Sequence, residues 1–471
     1  MEENLITLNL TIEKLCDRGH GVARLPDMPR KKVEIPAVLP GEVVTVTMRR
    51  RRRRLRKAKA TLLALLTPSK ERVEPRCAHF GSCGGCAIQQ MEYGAQVRYK
   101  EANLRRAFEP LQLERALFHP IIEAPELFDY RSKMEFSFSE DLAGNRYLGL
   151  VMSGGKGRVL TVTRCHLASS WFSEVLAAVR AWWSGIALSA YHPPKGTGHL
   201  ISLVLREGYH TGSRLIMLVV SGDPLFALNR DDLASFQEAV ADLAGGCALF
   251  LQIKQAARGV PTQLFEMHLS GPDKFFEQIH IDCYGKKRVV DLHVSPSSFL
   301  QPNTRAAGGF YSRAIELLDL KGDELLLDLY CGIGSIGLAC SAFVRKVVGI
   351  EINPYAVYDA RFNAIKNGMA NIEIHKGDVG EVLGKLGEVE PLLPDVVVVD
   401  PPRSGLGGVA VAQLLKLGAD KICYISCNPE SQARDLALLL QDYQVVAVQP
   451  ADQFPHTVHL ENIVILRRAA R

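Results

Sequence analysis

The sequence predicts a multidomain α/β protein with three units in series: a small N-terminal β-barrel, a central α+β domain around a four-cysteine site, and a C-terminal Rossmann-like sheet. Three observations carry this. Residues 4–48 alternate apolar and polar in short runs punctuated by Gly19, Gly21 and a Pro40-Gly41 turn, the period-two pattern of antiparallel strands. Residues 77–86 concentrate three cysteines, Cys77, Cys83 and Cys86. From about Ser297 the chain repeats strand, glycine turn and helix, the rhythm of an open parallel sheet. At 471 residues it exceeds what one core sustains, so boundaries are expected near residues 68 and 295.

In the first unit, residues 5–12, 33–37, 43–48 and 58–66 read as strands. Residues 48–59 hold nine basic side chains and no acidic one: arginines at 49–54 and 56, with Lys57 and Lys59. That run exceeds the whole-chain net charge of +5, so the remainder is net acidic. Positive charge at a single address suits a polyanion bound at the barrel surface. Elsewhere the composition is globular, 47% hydrophobic and 23% charged, with no apolar run of 18 residues and no charged-then-apolar leader. The expectation is a soluble, cytoplasmic monomer, with no membrane contact and no protein partner implied.

Eleven cysteines, an odd and clustered set, argue against a disulfide framework and for a metal site in a reducing compartment. In Cys77-Ala-His-Phe-Gly-Ser-Cys83-Gly-Gly-Cys86, the glycine pair lets backbone wrap a small centre closely. Cys165, the next cysteine, is the candidate fourth ligand; four thiolates fit either an iron-sulfur cluster or zinc. His79 and His166 read as surface or packing residues. An amphipathic helix is predicted over residues 89–108. Strands at 134–139, 200–206, 215–221 and 249–254, with a helix at 173–183, complete a central domain that shows no catalytic constellation.

In the third unit, Leu325-Leu-Leu-Asp328-Leu-Tyr330 is a buried strand and Cys331-Gly332-Ile-Gly334-Ser335-Ile-Gly337 its turn. A helix begins at 338–343, and a second strand at 347–350 ends at Glu351. The glycine spacing with an acid at the next strand end suits NAD or S-adenosylmethionine. Asp400-Pro401-Pro402-Arg403 separates the two, because consecutive prolines make a rigid loop without backbone donors, fit to hold a substrate base beside a sulfonium. Tyr424-Ile-Ser-Cys427-Asn-Pro ends another strand, 421–425, which puts Cys427 at the sheet edge where ligands bind.

With Asp328-Leu-Tyr-Cys-Gly-Ile-Gly, Asp400-Pro-Pro-Arg, Ser426-Cys-Asn-Pro and Phe454-Pro-His-Thr-Val-His-Leu-Glu461-Asn in order, the chain resembles the RNA 5-methyluridine methyltransferases over essentially its full length. Asp17-Arg-Gly-x-Gly-Val-Ala23 and Pro40-Gly-Glu42 resemble a TRAM domain, an OB-like RNA-binding barrel. Barrel and cysteine cluster together make the chain most similar to the 23S ribosomal RNA (uracil-C5)-methyltransferases, which carry a [4Fe-4S] cluster. The resemblance implies that Cys77, Cys83, Cys86 and Cys165 hold such a cluster, without a redox step, beside an RNA-binding surface. It implies S-adenosyl-L-methionine contacts at Gln301, Tyr330, Ser335, Glu351, Asp378 and Asp400, with Glu351 on the ribose and Asp378 on the adenine edge. The family often has phenylalanine in place of Tyr330 and asparagine in place of Ser335. Cys427 and Glu461 are the implied catalytic pair. The chemistry asks for them independently: uracil C5 is a weak nucleophile until a thiolate adds at C6, and the C5 proton must then be removed by a base. Glu461 is expected on the loop leading into a strand at 463–466, and His456 and His459 as hydrogen-bonding loop residues. Competing readings are the same chemistry on the T-loop of transfer RNA, a non-catalytic RNA-binding assembly factor, and a NAD-dependent oxidoreductase.

Overall fold

The structure, a computed structural model, describes residues 5–26, 28–49, 57–155, 157–255, 259, 262–383 and 393–469. The arginines at 50–54 and 56, the centre of the basic run, lie outside the described residues.

The N-terminal unit comprises β1 (Leu5–Thr11), β2 (Lys14–Leu15), β3 (Gly21–Leu25), β4 (Met28–Ile35), β5 (Val43–Arg49), β6 (Lys57–Lys59) and β7 (Thr61–Thr67). Two sheets form, β1-β5-β7 and β2-β3-β4-β6. Leu10, Ile12, Val33, Ile35, Val44 and Val46 fill the space between them, which is the inward half of the alternation read from the sequence. The strand expected at 58–66 is broken at Ala60. Before it β6 runs parallel to β4; after it β7 runs antiparallel to β5, so this crossing links the sheets.

After β8 (Leu117–Phe118), the central unit is one sheet of β9 (Lys133–Glu140), β10 (Arg146–Val151), β11 (Val159–Thr161), β12 (Leu200–Glu207), β13 (Arg214–Ser221), β14 (Ala248–Gln255) and β15 (Gln263–Ser270). Its order is β11-β10-β9-β12-β13-β14-β15. Helices Ser170–Ser184 and Arg230–Val240 pack on it through Trp171, Phe172, Trp183 and Phe236. A hairpin, β16 (Phe275–Cys283) and β17 (Lys286–Val294), then packs on helix Thr304–Leu318. A Cβ at Gly308 would lie 2.4 Å from the His280 carbonyl oxygen, so glycine alone permits that approach.

The C-terminal sheet contains β18 (Leu325–Leu329), β19 (Lys346–Glu351), β20 (Ile372–Lys376), β21 (Val396–Val399), β22 (Lys421–Ser426), β23 (Tyr443–Ala451) and β24 (Glu461–Arg468). Their order is β20-β19-β18-β21-β22-β24-β23, with β8 added beyond β23. All pairings from β20 to β22 are parallel, and β24 inserts antiparallel between β22 and β23. The four valines of β21 are all buried, as a strand covered on both faces requires. Chain order reverses between β18 and β21, so a crevice opens beyond their carboxyl ends.

Residues 93–122, placed by sequence in the central domain, pack into the C-terminal one. Helix Tyr93–Phe108 starts at the Glu92 cap, four residues later than predicted, and lies on helix Pro429–Leu439. Val97, Leu104, Phe108 and Ile121 share a core with Leu436, Leu439 and Val448. No helix among the described residues is long and apolar enough to cross a membrane.

Candidate active site

Three parallel strands end together, since Leu329 pairs with Val399 and Val399 with Tyr424. Their next residues therefore deliver Tyr330, Asp400 and the Cys427 turn to one edge. The antiparallel register supplies the fourth group: Ser426 pairs with Asn462, which places Cys427, one residue on, beside Glu461, one residue back. Glu461 is thus the first residue of β24 and not part of the preceding loop, and its strand position fixes it more firmly than the sequence suggested. Asn428 Nδ2 donates to the Arg403 carbonyl at 3.0 Å, tying the cysteine turn to the Asp400-Pro-Pro-Arg403 loop.

These groups line a cavity of about 530 Å³ with Gln301, Tyr311, Asp328, Ser335, Arg131, Phe454 and His459. Burial, reinforced by the charge of Asp400, pushes Glu461 up to about 8, against the opposing pull of Arg403. Desolvation alone pushes Asp400 up to about 7. Burial likewise takes Asp328 to about 7, opposed by a hydrogen bond from the Gly337 amide. Cys427 is raised by burial and by the charge of Glu461, while Arg403 favours its thiolate. Cys427 and Glu461 are therefore coupled: protonating Glu461 removes a charge that opposes ionisation of Cys427.

On the cofactor side, Gly334 takes a left-handed φ of 84° at the head of helix Ser335–Cys340, three residues earlier than the predicted helix start. A Cβ at Gly337 would lie 3.0 Å from Asp328 Oδ2, so this glycine lets helix and strand pack closely. Tyr330 holds a φ of 62°, rare for an aromatic residue and a mark of a functionally constrained turn. Glu351 closes β19; its Oε2 accepts from the Gly332 amide at 3.0 Å and its Oε1 from Asn353 at 2.7 Å. Glu351 and Asp378 lie outside the cavity lining. Asp378 Oδ1 accepts from the Gly380 amide at 2.8 Å, and its charge adds to burial in raising Tyr330. Gln301 is buried and bonds the hydroxyl of Tyr311. Its segment is held from outside. Asp359 accepts from Ser295 N at 2.7 Å and Ser298 Oγ at 2.6 Å, and Arg206 donates to the Pro296 and Ser298 carbonyls.

The four cysteines meet. Cys77, Cys83, Cys86 and Cys165 line a second cavity of about 700 Å³, and all are free thiols. Burial and the charges of Cys165, Cys77 and Cys83 push Cys86 up to about 12. Burial raises Cys83 and Cys165 as well, so these three thiols ionise together readily only around a positive centre. Gly84 is needed where it stands, since a Cβ there would be 2.9 Å from the Val151 carbonyl oxygen. His79 accepts from the Thr163 amide at 3.1 Å, in keeping with a packing role.

Sequence reasoning missed Arg131. It lines both cavities, as does His459, so these two residues border the four-cysteine cavity on one side and the cavity of Cys427 and Glu461 on the other. Its Nε is buried without a hydrogen-bond partner. No motif surrounds it; only the topology brings it there. His456 is buried, with Nδ1 3.2 Å from Gln96 Nε2. Burial lowers both His456 and His459 to about 4, so both are neutral near pH 7.

Residues 281–469 match the family model described as tRNA (Uracil-5-)-methyltransferase. An RNA methyltransferase of Protochlamydia amoebophila is 42% identical over 92% of this chain and 99% of its own length. Another, from Chlamydia muridarum, is 36% identical over 83% of this chain and 98% of that one. The crystal structure of Pyrococcus abyssi tRNA (uracil-54, C5)-methyltransferase in complex with S-adenosyl-L-homocysteine shares the fold, with a TM-score of 0.71 at 24% identity, covering 98% of this chain and all of that one. The chain belongs to the family of S-adenosylmethionine-dependent RNA (uracil-C5)-methyltransferases.

Proposed function

We propose that this enzyme methylates C5 of a specific uridine in 23S ribosomal RNA, with Cys427 as nucleophile and Glu461 as base. The observation that carries the catalytic assignment is the β22–β24 register, which sets Cys427 beside Glu461 at the mouth of the Asp400-Pro-Pro-Arg403 loop. S-adenosylmethionine, when bound, supplies an electrophilic methyl group. Its assigned contacts are Gln301, Tyr330, Ser335, Glu351, Asp378 and Asp400, in and beside a cavity of ligand size. Cys427 adds to C6 of an unstacked uridine and turns C5 into an enolate carbon that takes the methyl group. Glu461 then accepts the C5 proton, and the returning electron pair expels the Cys427 thiolate. Arg403 stabilises that thiolate at both ends of the cycle.

Cys77, Cys83, Cys86 and Cys165 are assigned to a [4Fe-4S] cluster. A tetrahedral zinc site, with Zn–S near 2.3 Å, would draw its sulfurs to about 3.8 Å apart. Among the described residues no three of these sulfurs lie within 4.8 Å of one another, a spread that suits a larger body. The cluster and the TRAM-like barrel support a role in ribosomal RNA processing, with RNA shape read by barrel and central domain. The full-length fold likeness to a transfer RNA enzyme favours a second reading, the same chemistry on a transfer RNA T-loop. Incubation with labelled cofactor and either 23S fragments or transfer RNA transcripts, followed by nucleoside analysis, decides. 5-Methyluridine confined to 23S RNA is expected; confinement to transfer RNA establishes the second reading, and none in either contradicts both.

A further inference from the structure

We propose that Cys16, His20 and Glu34 form a second metal site, separate from the four cysteines, for a zinc-like divalent cation. Their ligand atoms all lie within 4.8 Å of one another. The sequence brings them together in two steps. A tight turn folds 16–20 back on itself, with Cys16 N donating to the His20 carbonyl at 2.8 Å and Gly19 N to the Cys16 carbonyl at 2.8 Å. The β3–β4 pairing then lays Glu34 opposite Val22, over that turn. A thiolate, an imidazole and a carboxylate are the N, S and O donors zinc prefers, and three protein ligands leave a fourth position open. Bonds near 2.0–2.3 Å place such donors about 3.3–3.8 Å apart, so the group has little more than about 1 Å to close.

Glu34 is buried and cannot follow solvent, whereas its ion-pair partner Arg18 is 58% exposed. The guanidinium thus stands as a replaceable counter-charge: a dication takes its place beside Glu34 and Arg18 swings to water. The position matters to the barrel's seating. A Cβ at Gly19 would lie 2.9 Å from Val458 and 3.0 Å from both Ala87 and Ile88. The turn is therefore pressed between the cysteine segment and the loop before Glu461, and Tyr99 Oη also donates to the Cys16 carbonyl at 2.9 Å. A bound cation would brace this three-way contact.

The test is metal uptake by the full-length protein stripped of labile metal, titrated with Zn²⁺ against a chromophoric chelator and with Co²⁺ followed by its thiolate charge-transfer absorption. Cys16→Ser and His20→Asn are each expected to weaken one equivalent of Zn²⁺ by about tenfold or more while leaving metal held by the four-cysteine site unchanged. Arg18→Gln is expected to bind that equivalent about three- to tenfold more tightly, because a competing cation is gone. Arg18→Gln changes an exposed side chain, so it keeps the test decisive even where a ligand variant fails to fold. Equal uptake by wild type and both ligand variants, or unchanged or weaker binding by Arg18→Gln, overturns the site.

Discussion

Burial, with the charge of Asp400, holds Glu461 at about 8, the highest of the three carboxyl groups raised in this cavity. Burial favours the neutral acid, which eases ionisation of Cys427; in its proposed role as base Glu461 acts in the anionic form. Proton abstraction from C5 is therefore predicted to accelerate with pH and to level off above about 8, read from single-turnover decay of the methylated adduct. Glu461→Gln should slow that decay about 10²- to 10⁴-fold and let the methylated adduct accumulate. The stability consequence has a definite sign. The folded pKa stands above the unfolded value near 4.3, so between about pH 4 and pH 8 the folded chain binds more protons and loses stability as pH rises. Glu461→Gln removes this cost. Its melting temperature should exceed the wild type's at pH 8 and match it at pH 4; the reverse order would mean that the carboxylate is paired and not merely buried.

At the scale of elements, the loop joining β23 to β24 is fixed by a helix from the other end of the chain. Lys100, on helix Tyr93–Phe108, donates to Asp452 Oδ1 at 2.7 Å and to the Phe454 carbonyl at 3.0 Å, with both charged side chains fully buried. Gln96 accepts from His456 N at 2.8 Å, and the amides of Ala87 and Ile88 donate to the His456 carbonyl. The cysteine segment and the strand that carries Glu461 are thus mechanically joined. Removing one charge strands the other in a dry interior, so Lys100→Ala is predicted to cost about 3–5 kcal/mol in urea unfolding. Lys100→Met combined with Asp452→Leu should cost much less, because no charge is left unpaired. None of this was legible in the sequence, where Lys100 is one charge among several on an amphipathic helix. The strand ends were legible, because a hydrophobic run closed by Asp-Pro-Pro or Ser-Cys-Asn-Pro encodes both burial and termination locally. Arg131 and Lys100 depend on contacts between residues hundreds of positions apart, which no local pattern records.

At the scale of the whole molecule, the basic run at residues 49–59 is remote in sequence from Cys427 and Glu461, so RNA binding and the proposed chemistry should separate by mutation. Neutralising the arginines at 50–54 is predicted to weaken RNA affinity and flatten its dependence on salt while leaving cofactor affinity unchanged, measured by filter binding across a salt series. Unaltered RNA affinity at low salt would remove the basic run from the interface. That residues 93–122 share a core with the C-terminal sheet was not readable from composition and punctuation, because the partners of their apolar side chains lie far downstream. The central claim, that Cys427 attacks uracil C6 and Glu461 completes the reaction, is tested most directly by covalent trapping. Fluorine at C5 leaves no proton for Glu461 to take. Enzyme and cofactor mixed with 5-fluorouridine-containing 23S RNA should give an adduct that survives denaturing electrophoresis and maps by mass spectrometry to Cys427. An adduct on another residue, or none with enzyme shown to methylate the unfluorinated RNA, would contradict the account.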